Sequence, residues 1–187
     1  MLELINICKN FGENKVLENV SMAINEGITC IMGPSGRGKT TLAYIIAGLV
    51  KADSGEVKGL KKISLMFQED RLLEWETAVS NVLFVTKSAR DNIERAKELL
   101  TQAGLAESLY KKASELSGGM KRRVCLCRAL IAEYDLLILD EPFKGLDSGI
   151  KPSIMTMLKE HTAGKTVICI THDPVEAEFL GGELVTL

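Results

Sequence analysis

The reading turns on Gly27–Leu49, "GITCIMGPSGRGKTTLAYIIAGL". The run "ITCIM" before Gly33 predicts a buried strand that feeds a loop, and "GKTTLAYIIAGL" predicts a helix that stops at Gly48. Between them Gly33–Thr40, "GPSGRGKT", matches G-x-x-x-x-G-K-[ST] in the strand-then-helix context that gives this motif its mechanism. Its glycines let backbone N–H groups turn inward on phosphates, and the helix start adds a partial positive charge. The candidate nucleotide-binding residues are therefore Gly33, Pro34, Ser35, Gly36, Arg37, Gly38, Lys39, Thr40 and Thr41. Lys39 is placed to reach the β- and γ-phosphates of a nucleotide, and the Thr40 hydroxyl to ligate Mg2+.

Such a loop needs a carboxylate opposite it, and Leu136–Pro142, "LLILDEP", supplies two. Four apolar residues bury a strand and leave Asp140 and Glu141 at its C-terminal end, where open α/β sheets bind ligands. Asp140 is the candidate to hold the metal through water, and Glu141 to orient or deprotonate an attacking water. A solvated acidic turn would read the same way in isolation; the phosphate loop is what separates the two.

Further out, "LELINI" and "VLENVSMAI" read as strands around the turn "GENK", and "GEVKGLKKISLMF" as two short strands around a turn at Gly59. From about Thr77 to Ala132 the pattern is helical. "DNIERAKELLTQAG" places Ile93, Ala96, Leu99, Leu100 and Ala103 on one face, with Asp91 and Glu94 as a capping box and Gly104 as the stop. "TVICIT" is another buried strand, preceded by a helix in "SGIKPSIMTMLKEHTAG". Asp173 and Pro174 open a last short helix, and "GELVTL" reads as a strand. Alternating apolar strands and helices predict an α/β fold with a mainly parallel sheet, a small antiparallel sheet at the N-terminal side and an inserted helical subdomain at roughly 70–130. The 187 residues fit a single domain, 1–187.

Composition narrows the class. Lys plus Arg (23) nearly balance Asp plus Glu (25), for a net charge of −2, so no nucleic-acid partner is expected. Scattered charges in the first twenty residues argue against a secretory leader, and no apolar run reaches membrane-spanning length, so a soluble chain is expected. Five cysteines without a leader suggest reduced thiols. Cys125 and Cys127 stand two apart on a predicted helix, about 200° around it, so they cannot share a metal and read as packing residues.

Four more pieces, in order, are "LMFQED" with Gln68, "LSGGM" with Ser117–Met120, "FKGLD" with Asp147, and "ITHD" with His172. Together with the loop and the acidic strand they resemble the ATP-binding cassette (ABC) family over nearly the whole chain, including "CKNFGENKVLENVSMAINEG" at the start. The resemblance implies that Phe11 stacks on adenine and that Gln68 contacts Mg2+ and the attacking water. It implies that His172 contacts the γ-phosphate and that Asp147 lies near an opposite active site. Ser117, Gly118 and Gly119 would then face the nucleotide of a second ABC ATPase chain in a head-to-tail homodimer. The catalytic set on this reading is Glu141, His172, Gln68 and Lys39.

The same resemblance implies an ATPase driving transport through integral-membrane permease subunits, with an extracytoplasmic solute-binding protein as a further partner. The chain would be cytoplasmic and peripheral on the inner face of the cell membrane, with "DRLLEWETAVSNV" helping to form the permease groove. "FQEDRLLEW" is similar to the "FQEDRLLPW" of nitrate, sulfonate and taurine importer ATPases, with Glu74 in place of proline. Arg37 is large for its loop, and Arg122 replaces a glutamine common after LSGG. The competing expectation is a soluble ABC ATPase serving a cytosolic assembly or nucleic-acid process. A cassette that binds ATP without turnover would not be expected to keep Lys39, Asp140, Glu141 and His172.

Overall fold

The computed structural model describes residues 1–59 and 62–187. Two sheets form. Strands β1 (Leu2–Phe11), β2 (Asn14–Ile24) and β4 (Ser54–Lys58) make an antiparallel sheet in the order β2-β1-β4. Strands β3 (Gly27–Met32), β5 (Ile63–Met66), β6 (Leu136–Asp140), β7 (Thr166–Ile170) and β8 (Glu183–Thr186) make a wholly parallel sheet, β5-β6-β7-β3-β8. The α/β class, the mainly parallel sheet and the small antiparallel sheet are as the sequence predicts.

The central strands β6 and β7 are buried along their whole length and almost wholly apolar because both faces are covered. Along β6, Leu136 and Ile138 enter one core with β1, β2 and helix α1 (Lys39–Ile46). Leu137 and Leu139 enter the other, with the remaining helices. That second core gathers α2 (Ala78–Leu83), α3 (Ala89–Gln102), α4 (Gly118–Ile131), α5 (Lys151–His161) and α6 (Pro174–Leu180). Burying a side chain such as Leu137 contributes about 1.5–3 kcal/mol, so this two-sided burial is what fixes the strand ends that carry the site.

Two local expectations, for a helix start and for the helical middle section, need correction. The strands "GEVK" and "ISLM" form on either side of Gly59 as expected, and they part company: β4 joins the antiparallel sheet and β5 the edge of the parallel one. The part of their turn at Leu60 and Lys61 lies outside the described residues. Helix α3 starts a turn earlier than its expected capping box. Its cap is Ser88, whose Oγ accepts from the Asp91 N–H at 3.4 Å, because a hydroxyl in extended backbone fits that role and Ala89 and Arg90 are good helix formers. The helical middle section is also interrupted by short 3-10 turns at Ala106–Ser108 and Ala113–Glu115.

Candidate functional site

At the C-terminal ends of β3, β6 and β7 lies a cavity of about 520 Å³. Its wall brings together Phe11, Ser35, Gly36, Gly38, Lys39, Thr40, Thr41, Gln68, Asp140, Glu141 and His172, all expected from the sequence. Val16, Lys144 and Ile170 line it too and were not expected. The adjoining loop residues Gly33, Pro34 and Arg37 sit beside this wall, with Arg37 pointing to solvent.

The loop's shape follows from its glycines. Gly38, the cap of α1, has φ +86°, a left-handed backbone that costs other residues about 1–2 kcal/mol. A Cβ there would also meet the Val16 carbonyl at 2.7 Å and the Leu17 side chain at 2.8 Å. The Lys39 ammonium donates to the carbonyls of Gly33 (2.7 Å) and Pro34 (2.8 Å), so the loop wraps its own lysine.

Thr40 Oγ1 donates to one Asp140 oxygen at 2.7 Å. The other, Oδ1, is buried with no hydrogen-bond partner among the described residues. Burial is the main reason that the Asp140 carboxyl is held above its ordinary pKa. An orphaned carboxylate oxygen beside a threonine hydroxyl is a donor set suited to a hard divalent cation. One carboxylate and one hydroxyl suit Mg2+, an ion that takes one or two carboxylates and completes its shell with phosphate and water.

Glu141 follows Asp140 with φ +53°, which is uncommon for a residue with a side chain. Its N–H donates to the Ile170 carbonyl at 2.9 Å, tying β6 to β7 just where the cavity opens. Its carboxylate receives His172 Nδ1 at 2.8 and 2.9 Å. That bond and the Glu141 charge raise the His172 pKa above the ordinary imidazole value. The turn carrying His172 is itself anchored. Thr171 Oγ1 donates to buried Glu176 and accepts from the Asp173 N–H (3.1 Å), while Lys151 pairs with Asp173 at 2.9 Å and also with Glu176. Asp173 caps α6 as expected, accepting from the Val175 N–H.

Besides Gly33, Pro34 and Arg37, four expected residues lie outside the cavity wall: Ser117, Gly118, Gly119 and Asp147. Ser117 is exposed and caps α4, its Oγ accepting from the Met120 N–H at 3.3 Å. Gly119 lies against the turn before Asp147: a Cβ would meet the Gly145 carbonyl at 3.1 Å. The two departures in this region have partners. Glu74 pairs with Lys121 at 2.9 Å, and Arg122 is buried against backbone carbonyls. Cys125 and Cys127 are buried, their thiols pushed up to about 12 by burial, which makes them packing groups rather than nucleophiles.

A second cavity, about 650 Å³, runs between β5 and the helical insert. Ser64, Val85, Lys87, Arg95 and Arg128 are among its walls, and Phe84, 70% exposed, lies next to it in the chain. No helix among the described residues is long and apolar enough to cross a membrane.

Comparison with known proteins agrees with this geometry. The profile of the family described as ABC transporter matches residues 17–144. A profile described as AAA domain, putative AbiEii toxin, Type IV TA system, overlaps it at 112–178. The aliphatic sulfonates import ATP-binding protein SsuB 1 of Rhodococcus jostii is 39% identical over 100% of this chain and 78% of its own length. The macrolide export ATP-binding/permease protein MacB of Campylobacter jejuni is 38% identical over 93% of this chain, but over only 31% of its own length. The dimeric structure of the bacterial ABC transporter cassette MJ0796 matches with a TM-score of 0.89 at 34% identity, covering 100% of this chain and 94% of that one. A post-hydrolysis dimer of the same cassette bound to ADP and Pi matches equally well.

Proposed function

The chain belongs to the ABC transporter family, and on that premise we propose that two copies pair head to tail around two ATP molecules to power a separate membrane permease. It is an ATP-binding and ATP-hydrolysing transporter subunit. Residues 1–187 act as one cassette with a helical insert. The observation that carries the head-to-tail reading is the split between a cavity lined by Lys39, Thr40, Asp140, Glu141 and His172 and an exposed glycine-rich helix start at Ser117 outside it.

Phe11 offers an aromatic face for adenine at the cavity mouth, and the loop from Gly33 to Thr41 encloses the phosphates. Thr40 and Asp140, with Gln68 nearby, would hold Mg2+, which supplies charge neutralisation for the transferring phosphoryl group. Glu141 takes the proton of a water that attacks the γ-phosphorus as the bond to the ADP oxygen breaks. Its bond from His172 keeps the carboxylate aimed into the cavity, and His172 then reaches the γ-phosphate. Ser117, Gly118 and Gly119 of the partner copy close the nucleotide from the other side, with Asp147 beside them. A helix N-terminus stabilises an anion by about 0.3–2 kcal/mol, enough to make closure depend on the γ-phosphate.

The groove between β5 and the helical insert takes a cytoplasmic segment of the permease on the inner face of the cell membrane, although none of Asp70–Val82, expected to help form that groove, lines its wall. The importer names of the sulfonate relatives and the "FQEDRLLEW" segment support import, with a solute-binding protein upstream of the permease. Sedimentation equilibrium tests the pairing. In a Glu141→Gln background ATP should produce a dimer, and adding Ser117→Arg should leave a monomer that still binds nucleotide. A dimer that survives Ser117→Arg would rule out the head-to-tail arrangement.

A further inference from the structure

We propose that Arg122 is a positioning residue for hydrolysis, fixing from the first turns of α4 the backbone carbonyls of Gln68 and Glu141. The inference rests on the catalytic reading above and adds a residue to it. Arg122 is 4% exposed. Its Nη1 donates to the carbonyls of Phe67 and Gln68, both at 2.9 Å, and lies 3.3 Å from the Asp70 carboxylate. Its Nε and Nη2 donate to the Glu141 carbonyl at 3.1 and 2.6 Å, and Nη2 also donates to the Asp140 carbonyl. One guanidinium therefore spans the C-terminal ends of two neighbouring strands, β5 and β6.

The chemistry of the group explains why it can do this. A guanidinium carries five N–H donors in a rigid plane and no acceptor, so it suits a nest of carbonyls and stays charged when buried. The glutamine common at this position in the family it resembles has one amide with two N–H donors, too few to hold four carbonyls. A lysine ammonium has three donors radiating from a point and cannot cover both strand ends in one plane.

What the clamp holds is the least relaxed peptide of the site. Glu141 sits at φ +53°, a conformation that persists in a non-glycine residue only when its surroundings over-determine it. Its N–H is taken by the Ile170 carbonyl and its own carbonyl by Arg122 and the Lys144 N–H. With both ends of that residue tied, its carboxylate is directed to His172 and the cavity. On the other strand the same guanidinium anchors the carbonyl of Gln68, whose side chain lines the same wall. Ser117 caps the helix that carries Arg122, so displacement of that helix start reaches the Glu141 turn through one short rigid segment.

The test separates positioning from mere packing. Arg122→Met keeps the volume and removes every donor. It should lower kcat about 10–100-fold, as a misplacement near 1 Å does, while the KM for ATP stays within about twofold. Arg122→Gln, which can still serve one strand end, should recover part of the loss and Arg122→Lys less. If the methionine variant does not fold, Arg122→Gln carries the same comparison with a smaller loss of kcat at constant KM. In a Gln68→Ala background, Arg122→Met should lose the part of its effect that runs through Gln68 and keep the part that runs through Glu141, because a group that acts through another is not additive with it. Unchanged kcat in a folded variant, a parallel shift of kcat and KM, or full additivity with Gln68→Ala would overturn the proposal. Glu141→Gln, run alongside, keeps the two failures apart. If it hydrolyses normally, the catalytic reading falls and the Arg122 role with it. If it is inactive while Arg122→Met turns over at the parent rate, only the Arg122 role is lost.

Discussion

The chain has two glycine-led helix starts, at α1 and at α4, and they differ in who completes them. At α1, Gly38 has no side-chain cap, Lys39 is 9% exposed and folded onto the loop carbonyls, and Thr40 is bonded to Asp140. Strand β2 presses on it from behind through Val16 and Leu17. At α4, Ser117 spends its hydroxyl on its own cap and is exposed, and a Cβ built on Gly118 would meet nothing within 4 Å. Both ends carry the same partial charge. Only the first is enclosed by its own chain, while the second is exposed, and the proposed head-to-tail pair would account for that asymmetry.

The sharpest way to break this comparison is to remove chemistry from the enclosed end alone. Glu141→Gln should slow ATP hydrolysis about 10²–10⁴-fold, the usual share of a general base, with nucleotide affinity retained. A phosphate-release assay beside calorimetric ATP binding reads both. Near-parent turnover would mean that the enclosed end is not where the water is activated.

The next largest effect concerns the glycines themselves. Gly38→Ala must accept φ +86° and push against the Val16 carbonyl, so it should cost about 2 kcal/mol or more of stability. Gly118→Ala meets open space without positive φ, and alanine is favoured inside helices by about 0.5–1 kcal/mol, so its stability should be unchanged or slightly higher. Any penalty of Gly118→Ala should instead appear as weaker ATP-dependent dimerisation. Urea melts of the two variants decide the first point. Equal destabilisation would erase the difference between the two ends.

The enclosed end was legible in the sequence because its chemistry is local. Eight consecutive residues build the phosphate loop, and the strand "LLILD" delivers its carboxylates with no intervening turn. What escaped was whatever depends on contacts between distant segments. Arg122 read as an unexplained departure, since its value lies in carbonyls more than fifty positions upstream at Phe67 and Gln68, and in those of Asp140 and Glu141. Glu74 read as an isolated substitution until Lys121 was placed 2.9 Å away. The separation of β4 from β5 was hidden for a similar reason, because local propensity makes strands while sheet membership is decided by partners far along the chain. Lys144, on the cavity wall, carries no periodic signal that a sequence could show.

The smallest expected effect lies at the rim of the enclosed end, where its own chain gives way to solvent. His172 is held by Glu141 at 2.8 Å, yet its side chain is 68% exposed, so water screens most of the ion pair. The bond still favours the protonated ring, and the His172 pKa lies above the ordinary 6.5. A raised folded-state pKa means that the pair's contribution to stability is complete below the unfolded value and is lost as pH climbs through the folded one. An NMR titration should therefore give the His172 ring a midpoint above the ordinary value. His161→Gln assigns that signal by removing the other. Glu141→Gln should bring the midpoint back toward the ordinary value, because both main causes of the shift come from that carboxylate. A midpoint unmoved by Glu141→Gln would show that His172 does not hold the Glu141 carboxylate, and that its part in aiming that carboxylate into the cavity must be given up.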